Sequence, residues 1–165
     1  MQKRILSLLV DNTAGVLSRI SGLFSRRGYN IDSLTVGVTA DERFSRMTVV
    51  CSGDEMILEQ ITKQLAKLVD VRDIKVLEPE DSVSRELVLV KVAARAEQRQ
   101  GIISIADIFR AKVVDVSKDS LVVEMTGTKR KLEAFIDLMG SYEILELART
   151  GVTGLSRGAK DVRFL

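Results

Sequence analysis

The sequence predicts an α+β fold made of two tandem ferredoxin-like units, each with the element order βαββαβ. Of the 165 residues, 45% are apolar but only 4% are aromatic, so a core must consist mainly of Val, Ile and Leu. Short runs of β-forming residues alternate with segments of helical periodicity. The order of these segments repeats once along the chain, and each half has the split βαβ arrangement. The length is sufficient for two small domains.

The first unit is predicted at residues 1–78. An apolar run at residues 5–10 indicates a strand, and the helical spacing that begins at Val16 indicates a helix. That helix should end at Gly28, after the cations Arg26 and Arg27, which complement the helix dipole in its last turn. The remaining pattern predicts strands at 34–38 and 44–51 around a turn at 40–43, a helix at 54–68 and a closing strand at 71–77.

A linker at residues 79–84 and a second unit at residues 85–165 are predicted next. Residues 78–82 contain the only proline and three acidic residues, a composition typical of a connection between domains. The second unit repeats the order with strands at 86–94, 113–116, 120–125 and 142–149 and helices at 100–109 and 128–138. Residues from Gly151 onward, with three glycines and mixed charges, are expected to form a surface tail.

The composition excludes several classes of function. The absence of histidine removes imidazole acid–base catalysis and imidazole metal ligands, and the single cysteine rules out an internal disulfide or a multi-thiolate metal site. We interpret Cys51 as a small buried core residue. With 25 basic and 23 acidic residues, bulk charge gives no reason to expect nucleic-acid binding. No apolar stretch has the length of a membrane span and the N-terminus does not resemble a signal peptide, so a cytoplasmic location is expected.

The segment at residues 11–15 is the strongest candidate for a functional loop, because it joins a strand to the start of a helix. The unpaired N–H groups of a first helical turn favour an anion such as an α-carboxylate, and Gly15 allows close approach. Asn12 offers a donor and an acceptor, Asp11 has the charge to balance an ammonium group, and Val16 and Leu17 offer apolar surface. An ordinary helix cap explains the same residues. The glycine-rich phosphate-binding motifs are missing, which disfavours nucleotide binding.

A longer pattern around this loop resembles the small regulatory subunits of acetolactate synthase (acetohydroxyacid synthase), which begin with an ACT domain. The resemblance rests on residues 8–20, which include Asn12, Gly15, Val16 and Leu17, and on the Gly28-to-Leu34 stretch within residues 24–34. It continues through residues 45–48, 60–65, 71–76, 84–87 and 133–135, and therefore covers nearly the whole chain.

The resemblance implies a non-catalytic subunit that activates a separate catalytic subunit and confers feedback inhibition by valine or another branched-chain amino acid. It implies a homodimer through the ACT domain, with the effector bound between two chains. Thiamine diphosphate, a divalent metal and a flavin are expected on the catalytic partner, and no cofactor or metal is expected on this chain. The effector-binding residues carried over by position are Asn12, Ala14, Gly15, Val16 and Leu17 from one chain, with Asn30 and Ile31 from its neighbour.

Two other functions remain open at this point. A free-standing amino-acid sensor would need an effector domain such as a helix-turn-helix, and no segment has that pattern. A small enzyme would need to use carboxylates, Lys or Tyr, and the sequence shows no cluster of these at a plausible pocket. The segment at residues 128–131, a threonine followed by three basic residues, is interpreted as a solvated helix start rather than a docking site.

Overall fold

The computed structural model describes residues 1–159, which divide into two compact units. The first unit comprises Met1–Ser84 together with the described residues from Val152 onward, and the second comprises Arg85–Gly151. No helix in this described part of the chain is long and apolar enough to cross a membrane. Among the same residues, no group of three or more His, Cys, Asp or Glu side chains is arranged to hold a metal ion.

The first unit has the predicted βαββαβ order and one antiparallel sheet. Its strand order, β2-β3-β1-β4, puts β2 and β4 at the edges, as in the ferredoxin-like arrangement. The second strand begins four residues earlier than the alternation of residues 34–38 predicted. The elements are β1 (Gln2–Asp11), α1 (Val16–Arg27), β2 (Asn30–Val38), β3 (Phe44–Gly53), α2 (Glu55–Ala66) and β4 (Val71–Val76).

Both helices of the first unit pack on one face of this sheet. Helix α1 buries Ile20, Leu23 and Phe24 against the strands, as its helical spacing predicted. It ends at Gly28, whose positive φ of 68° lets the backbone turn back and donate to the carbonyl of Ser25. The same face is closed by α2, whose buried side chains are Leu58, Ile61 and Leu65.

The second unit repeats the topology with the strand order β6-β7-β5-β8. A short 3-10 turn at Pro79–Asp81 leads directly into β5, so the segment predicted to be a linker is mostly structured. The core is made by alternate residues of β5 and β7 against two helices. The elements are β5 (Ser82–Ala93), α3 (Arg99–Ile108), β6 (Lys112–Val116), β7 (Ser120–Gly127), α4 (Lys129–Met139) and β8 (Ile144–Arg149).

The segment after Gly151 differs from the surface tail that its glycines and charges predicted. It forms a ninth strand, β9 (Thr153–Ser156), which pairs with the start of β5 and belongs to the first unit rather than to the second. Val152 is buried, and the backbone N–H of Gly154 donates to the side chain of Thr48 on β3. The part of the predicted tail at residues 160–165 lies outside the described residues.

Candidate functional site

The loop at residues 12–15 connects β1 to α1 with a left-handed glycine at the helix start. Gly15 is the N-cap residue at φ 86°, a conformation that disfavours side chains, and no side chain caps the helix there. Its carbonyl accepts from the N–H of Arg19 at 3.0 Å and so begins the helical ladder. The first-turn N–H groups and the positive end of the helix dipole therefore lie at a loop whose other residues are exposed.

The guanidinium of Arg19 lies directly over this loop. Its Nη1 atom is 2.9 Å from the position that a Cβ on Gly15 would take. The Nε and Nη2 atoms donate to the two carboxylate oxygens of Asp70, at 2.5 and 3.1 Å. A cation in the first turn opposes the helix dipole, and Asp70 compensates for this cost. The hydrogen bonds from Arg19 lower the pKa of Asp70 and raise the pKa of Arg19.

Asn12 holds the loop against the turn between β2 and β3. Its backbone N–H donates to the carbonyl of Arg43 at 2.8 Å, and its Nδ2 donates to the carbonyl of Glu42 at 2.9 Å. The amide nitrogen of the side chain is thus used to position the loop. Its Oδ1 atom is the group that an incoming ammonium would meet.

Asp11 is engaged differently from the ammonium partner that the sequence suggested. Its carboxylate accepts from Nε and Nη2 of Arg72 at 2.7 and 3.1 Å. The same hydrogen bonds raise the pKa of Arg72. Asp11 therefore joins the end of β1 to β4, and its charge is already balanced within the chain.

The two apolar residues at the start of α1 have different positions. Val16 is 4% exposed and belongs to the core, so only its backbone faces the loop. Leu17 is 48% exposed. Together with the exposed Ala14, it provides the apolar surface next to the helix start.

Asn30 and Ile31 lie at the opposite end of the sheet from this loop. They pair with Ser52 and Cys51 on β3, whereas the loop follows the pairing of Asp11 with Phe44. Phe44 and Ser52 are eight positions apart on β3, which corresponds to about 26 Å at roughly 3.3 Å per residue. The side chain of Asn30 donates to Asp32, and Ile31 packs on the core. Within one chain, the predicted site residues therefore form two separate groups.

Sequence reasoning missed Arg19 and Asp70 at this site. The helical spacing of α1 puts Arg19 on the face away from the core, and half of its side-chain surface is exposed. The available signal was its position four residues after Gly15, where a basic side chain is unfavourable without an acidic neighbour. The identity of that neighbour depends on the antiparallel pairing of β1 with β4, which local sequence does not specify.

The chemistry of the first unit favours binding over catalysis. The thiol of Cys51 is fully buried, as predicted, and desolvation raises its pKa to about 11, so it is not a nucleophile near neutral pH. The charged groups around the loop are paired with each other in bidentate contacts. What remains available at the loop are backbone donors, the Asn12 carbonyl oxygen and exposed apolar surface.

Comparisons with known proteins agree along the whole chain. A family model described as the small subunit of acetolactate synthase matches residues 85–158, and one described as an AHAS small subunit-like ACT domain matches residues 6–73. The chain is 53% identical over 157 residues to the acetolactate synthase small subunit of Mycolicibacterium smegmatis, which covers 95% of this chain and 92% of that protein. It is 49% identical over 162 residues to the isozyme 3 small subunit of Salmonella typhimurium, with 98% and 99% covered. The crystal structure of the acetolactate synthase small subunit from Thermotoga maritima superimposes with a TM-score of 0.90 at 39% identity, covering 96% and 99% of the two chains.

Proposed function

We infer that this chain, which belongs to the family of acetolactate synthase small subunits, is a feedback regulator that binds a branched-chain amino acid, valine first among them. It activates a catalytic subunit in the cytoplasm and lowers that activation when valine is bound. Its first unit is an ACT domain. We propose, as the family resemblance implies, that thiamine diphosphate, a divalent metal and a flavin are bound by the catalytic partner.

The observation that carries the effector site is the uncapped start of α1 beneath the Arg19 guanidinium. An α-carboxylate placed at Gly15 would accept from first-turn N–H groups and would face the Nη1 atom, which is the arginine nitrogen nearest this glycine. The Oδ1 atom of Asn12 is available to accept from the α-ammonium. The exposed side chains of Ala14 and Leu17 would contact an aliphatic side chain, at about 0.8 kcal/mol for each buried methylene.

A second copy of the chain would complete this site. Strand β2 is an edge of the sheet, and its residues Val36 and Val38 are exposed, a surface that another strand can cover. If two β2 edges pair in antiparallel fashion about a twofold axis, the beginning of one strand lies beside the end of the other. Asn30 and Ile31 of one copy then approach the loop end of its neighbour's sheet. This explains how the two groups of predicted residues, separated within one chain, contribute to one pocket.

Regulation follows if the catalytic subunit prefers one arrangement of this dimer. A ligand bound between two chains stabilises the arrangement that completes its site, and it changes activity only through unequal affinity for two states. The proposed mechanism is that valine selects a dimer arrangement that activates the catalytic subunit poorly.

The experiment is a calorimetric titration of the purified chain with valine, leucine and isoleucine, followed by assays of pyruvate condensation with and without a catalytic subunit. The chain alone should bind valine and show no condensation activity. It should stimulate the catalytic subunit, and valine should reverse that stimulation. Condensation by the chain alone would contradict a regulatory role. If none of the three amino acids binds, the effector assignment is wrong.

Gly15→Asp tests the location of the site. The new carboxylate lies where the effector carboxylate is proposed, in a left-handed conformation that already disfavours a side chain. Valine affinity should fall at least about tenfold, equivalent to roughly 1.4 kcal/mol. Gln98→Asp, at the corresponding helix start of the second unit, is the matched control and should bind valine normally. Equal affinities of the parent and Gly15→Asp would place the site elsewhere.

A further inference from the structure

Residues 152–154, which comprise Val152 and the first half of β9, contact the helix-free face of the first sheet through side-chain hydroxyl groups. The N–H of Val152 donates to Ser33 Oγ at 2.9 Å, and Thr35 Oγ1 donates to the carbonyl of Val152 at 3.0 Å. The N–H of Gly154 donates to Thr48 Oγ1 at 3.3 Å. Strand β2, which begins with Asn30 and Ile31, is therefore tied to the segment just after the second unit.

These hydroxyls form one row because of the strand register. Thr35 pairs with Thr48, and Ser33 pairs with Val50, so the side chains of all four residues point to the same face. None of these three hydrogen bonds uses the backbone of β2 or β3. Removing the hydroxyls of Ser33 and Thr35 can therefore detach Val152 from β2 without breaking a hydrogen bond of the sheet ladder, while β9 stays paired with β5.

Close packing fixes the other side of β9. A Cβ added to Gly154 would be 2.9 Å from Ser84 Oγ, 3.0 Å from Leu77 Cδ1 and 3.1 Å from the carbonyl oxygen of Val83. Glycine is required here by space, since two of these neighbours are a backbone atom and a buried leucine. A larger residue at this position would displace β9.

The chain immediately before β9 is anchored in the second unit. Thr150 donates its N–H to the carbonyl of Leu87 at 3.0 Å, and its Oγ1 accepts from the N–H of Leu87 at 3.1 Å. Arg149 donates from Nε and Nη2 to the carboxylate of Glu86, both at 3.0 Å. Only Gly151, at φ 84°, separates these anchors from Val152.

We propose that β9 is the coupling element through which effector binding at β2 reaches the second unit, with Ser33 and Thr35 as its positioning residues. The inference rests on the effector site proposed above. Strand β2 has a register irregularity between Ile31 and Ser33. This irregularity separates the proposed effector residues, Asn30 and Ile31, from the residues of β2 that contact Val152. A shift of β2 on effector binding is transmitted to Val152 and then, across Gly151, to Thr150 and the end of β8.

The test is the double variant Ser33→Ala/Thr35→Val in the full-length chain, reconstituted with the catalytic subunit. Because neither residue belongs to the proposed effector pocket, the valine Kd from calorimetry should stay within about twofold of the parent value, and stimulation without valine should be retained. The activity remaining at saturating valine should rise about two- to fivefold, at the lower end of typical allosteric couplings. Hydrogen exchange at the Val152 and Gly154 amides should become faster.

Three further variants make the result decisive. Ser33→Thr/Thr35→Ser retains both hydroxyls and should restore inhibition. Thr126→Val changes an exposed threonine of β7 in the second unit and should leave inhibition unchanged. Gly154→Val releases β9 by crowding rather than by lost hydrogen bonds and should reproduce the double variant, which also covers the case in which the double variant fails to fold.

The outcomes separate this proposal from the one on which it rests. If the parent does not bind valine, the effector site is wrong. If the parent binds and is inhibited, but the variants with faster exchange at Val152 and Gly154 are inhibited to the same extent, β9 is not the coupling element. A loss of valine binding in Ser33→Ala/Thr35→Val would also overturn the proposal, because these residues would then belong to the pocket itself.

Discussion

The two units share a strand order but differ in what covers the helix-free face of each sheet. In the first unit, β9 contacts that face, and β1 is buried continuously from Leu6 to Val10. In the second, β5 buries Val88 and Val90 toward the helices while Leu89 between them is 37% exposed. A strand covered on both faces is apolar throughout, and a strand covered on one face alternates. The two units therefore share a strand topology but differ in how the helix-free face of the sheet is packed.

The loops that lead into α1 and α3 differ in a related way. Helix α3 follows Gln98, which is right-handed and whose Oε1 accepts from the N–H of Arg95 at 3.1 Å. This loop is closed by its own polar groups. The loop of the first unit instead has a left-handed glycine, exposed neighbours and the Arg19 guanidinium above it. The difference explains why effector binding is proposed for one unit of the pair.

The largest expected effect compares two leucines on the helix-free faces, Leu9→Ala and Leu89→Ala. Leu9 is fully buried, so its truncation should lower the free energy of unfolding of the first unit by about 2–5 kcal/mol. Leu89 is partly exposed, so its truncation should cost the second unit less than about 1 kcal/mol. Native-state hydrogen exchange on β1 and β5 measures each unit separately. Equal losses would show that the two faces are covered alike.

A smaller difference is expected between the bidentate ion pairs of the two units. The side chains of Glu86 and Arg149 are 6% and 32% exposed, against 12% and 50% for Asp70 and Arg19. Arg149→Met leaves a nearly buried carboxylate without its guanidinium, which should destabilise β8 by up to about 3 kcal/mol. Arg19→Met should have a smaller effect, because water reaches that pair more easily. Amide exchange in β8 and at the hydrogen-bonded amides of Asp11 and Asn12 measures both effects. A larger loss from Arg19→Met would reverse the comparison.

The sequence predicted what local periodicity and caps determine. The helix at Val16, its end at Gly28 and both βαββαβ orders are confirmed, because apolar spacing and glycine act over a few residues. The contacts of β9 were missed, because Ser33, Thr35 and Thr48 look like ordinary solvent-facing residues until the C-terminal segment is placed on them. These three hydroxyl residues lie more than a hundred residues before the segment that they contact, so no local sequence pattern reveals the contact.

The candidate site was predictable to a similar extent. The glycine at the start of α1 has a local signature, and the structure places it as expected at the junction of β1 and α1. The separation of Asn30 from the loop follows from strand direction, which is already implicit in the βαββαβ order. The engagement of Asp11 by Arg72 was not predictable, since it depends on how β1 and β4 are aligned.

The smallest predicted effect is a pH dependence confined to the first loop. Hydrogen bonds from Arg19 hold the pKa of Asp70 below its usual value of 3.8. A carboxyl group whose pKa is lower in the folded state contributes stability that is complete above its unfolded pKa and is lost as the pH falls through its folded pKa. The amides of Asp11 and Asn12 donate to the carbonyls of Asp70 and Arg43. Their protection factors should therefore be constant from neutral pH down to about 4 and should fall below that pH.

Asp70→Asn should remove this transition and lower the protection of the loop at neutral pH, because the charged acceptor for Arg19 is gone. Glu146→Gln is the matched control: Lys91 lowers the pKa of Glu146 in the same direction, but the pair lies in the second unit. This control should leave the protection profile of the Asp11 and Asn12 amides unchanged. If Asp70→Asn showed the same fall below about pH 4 as the parent, the Arg19–Asp70 pair would not be what holds the loop. The loop before α3 should show no comparable transition, since the side chain that closes it is the neutral Gln98.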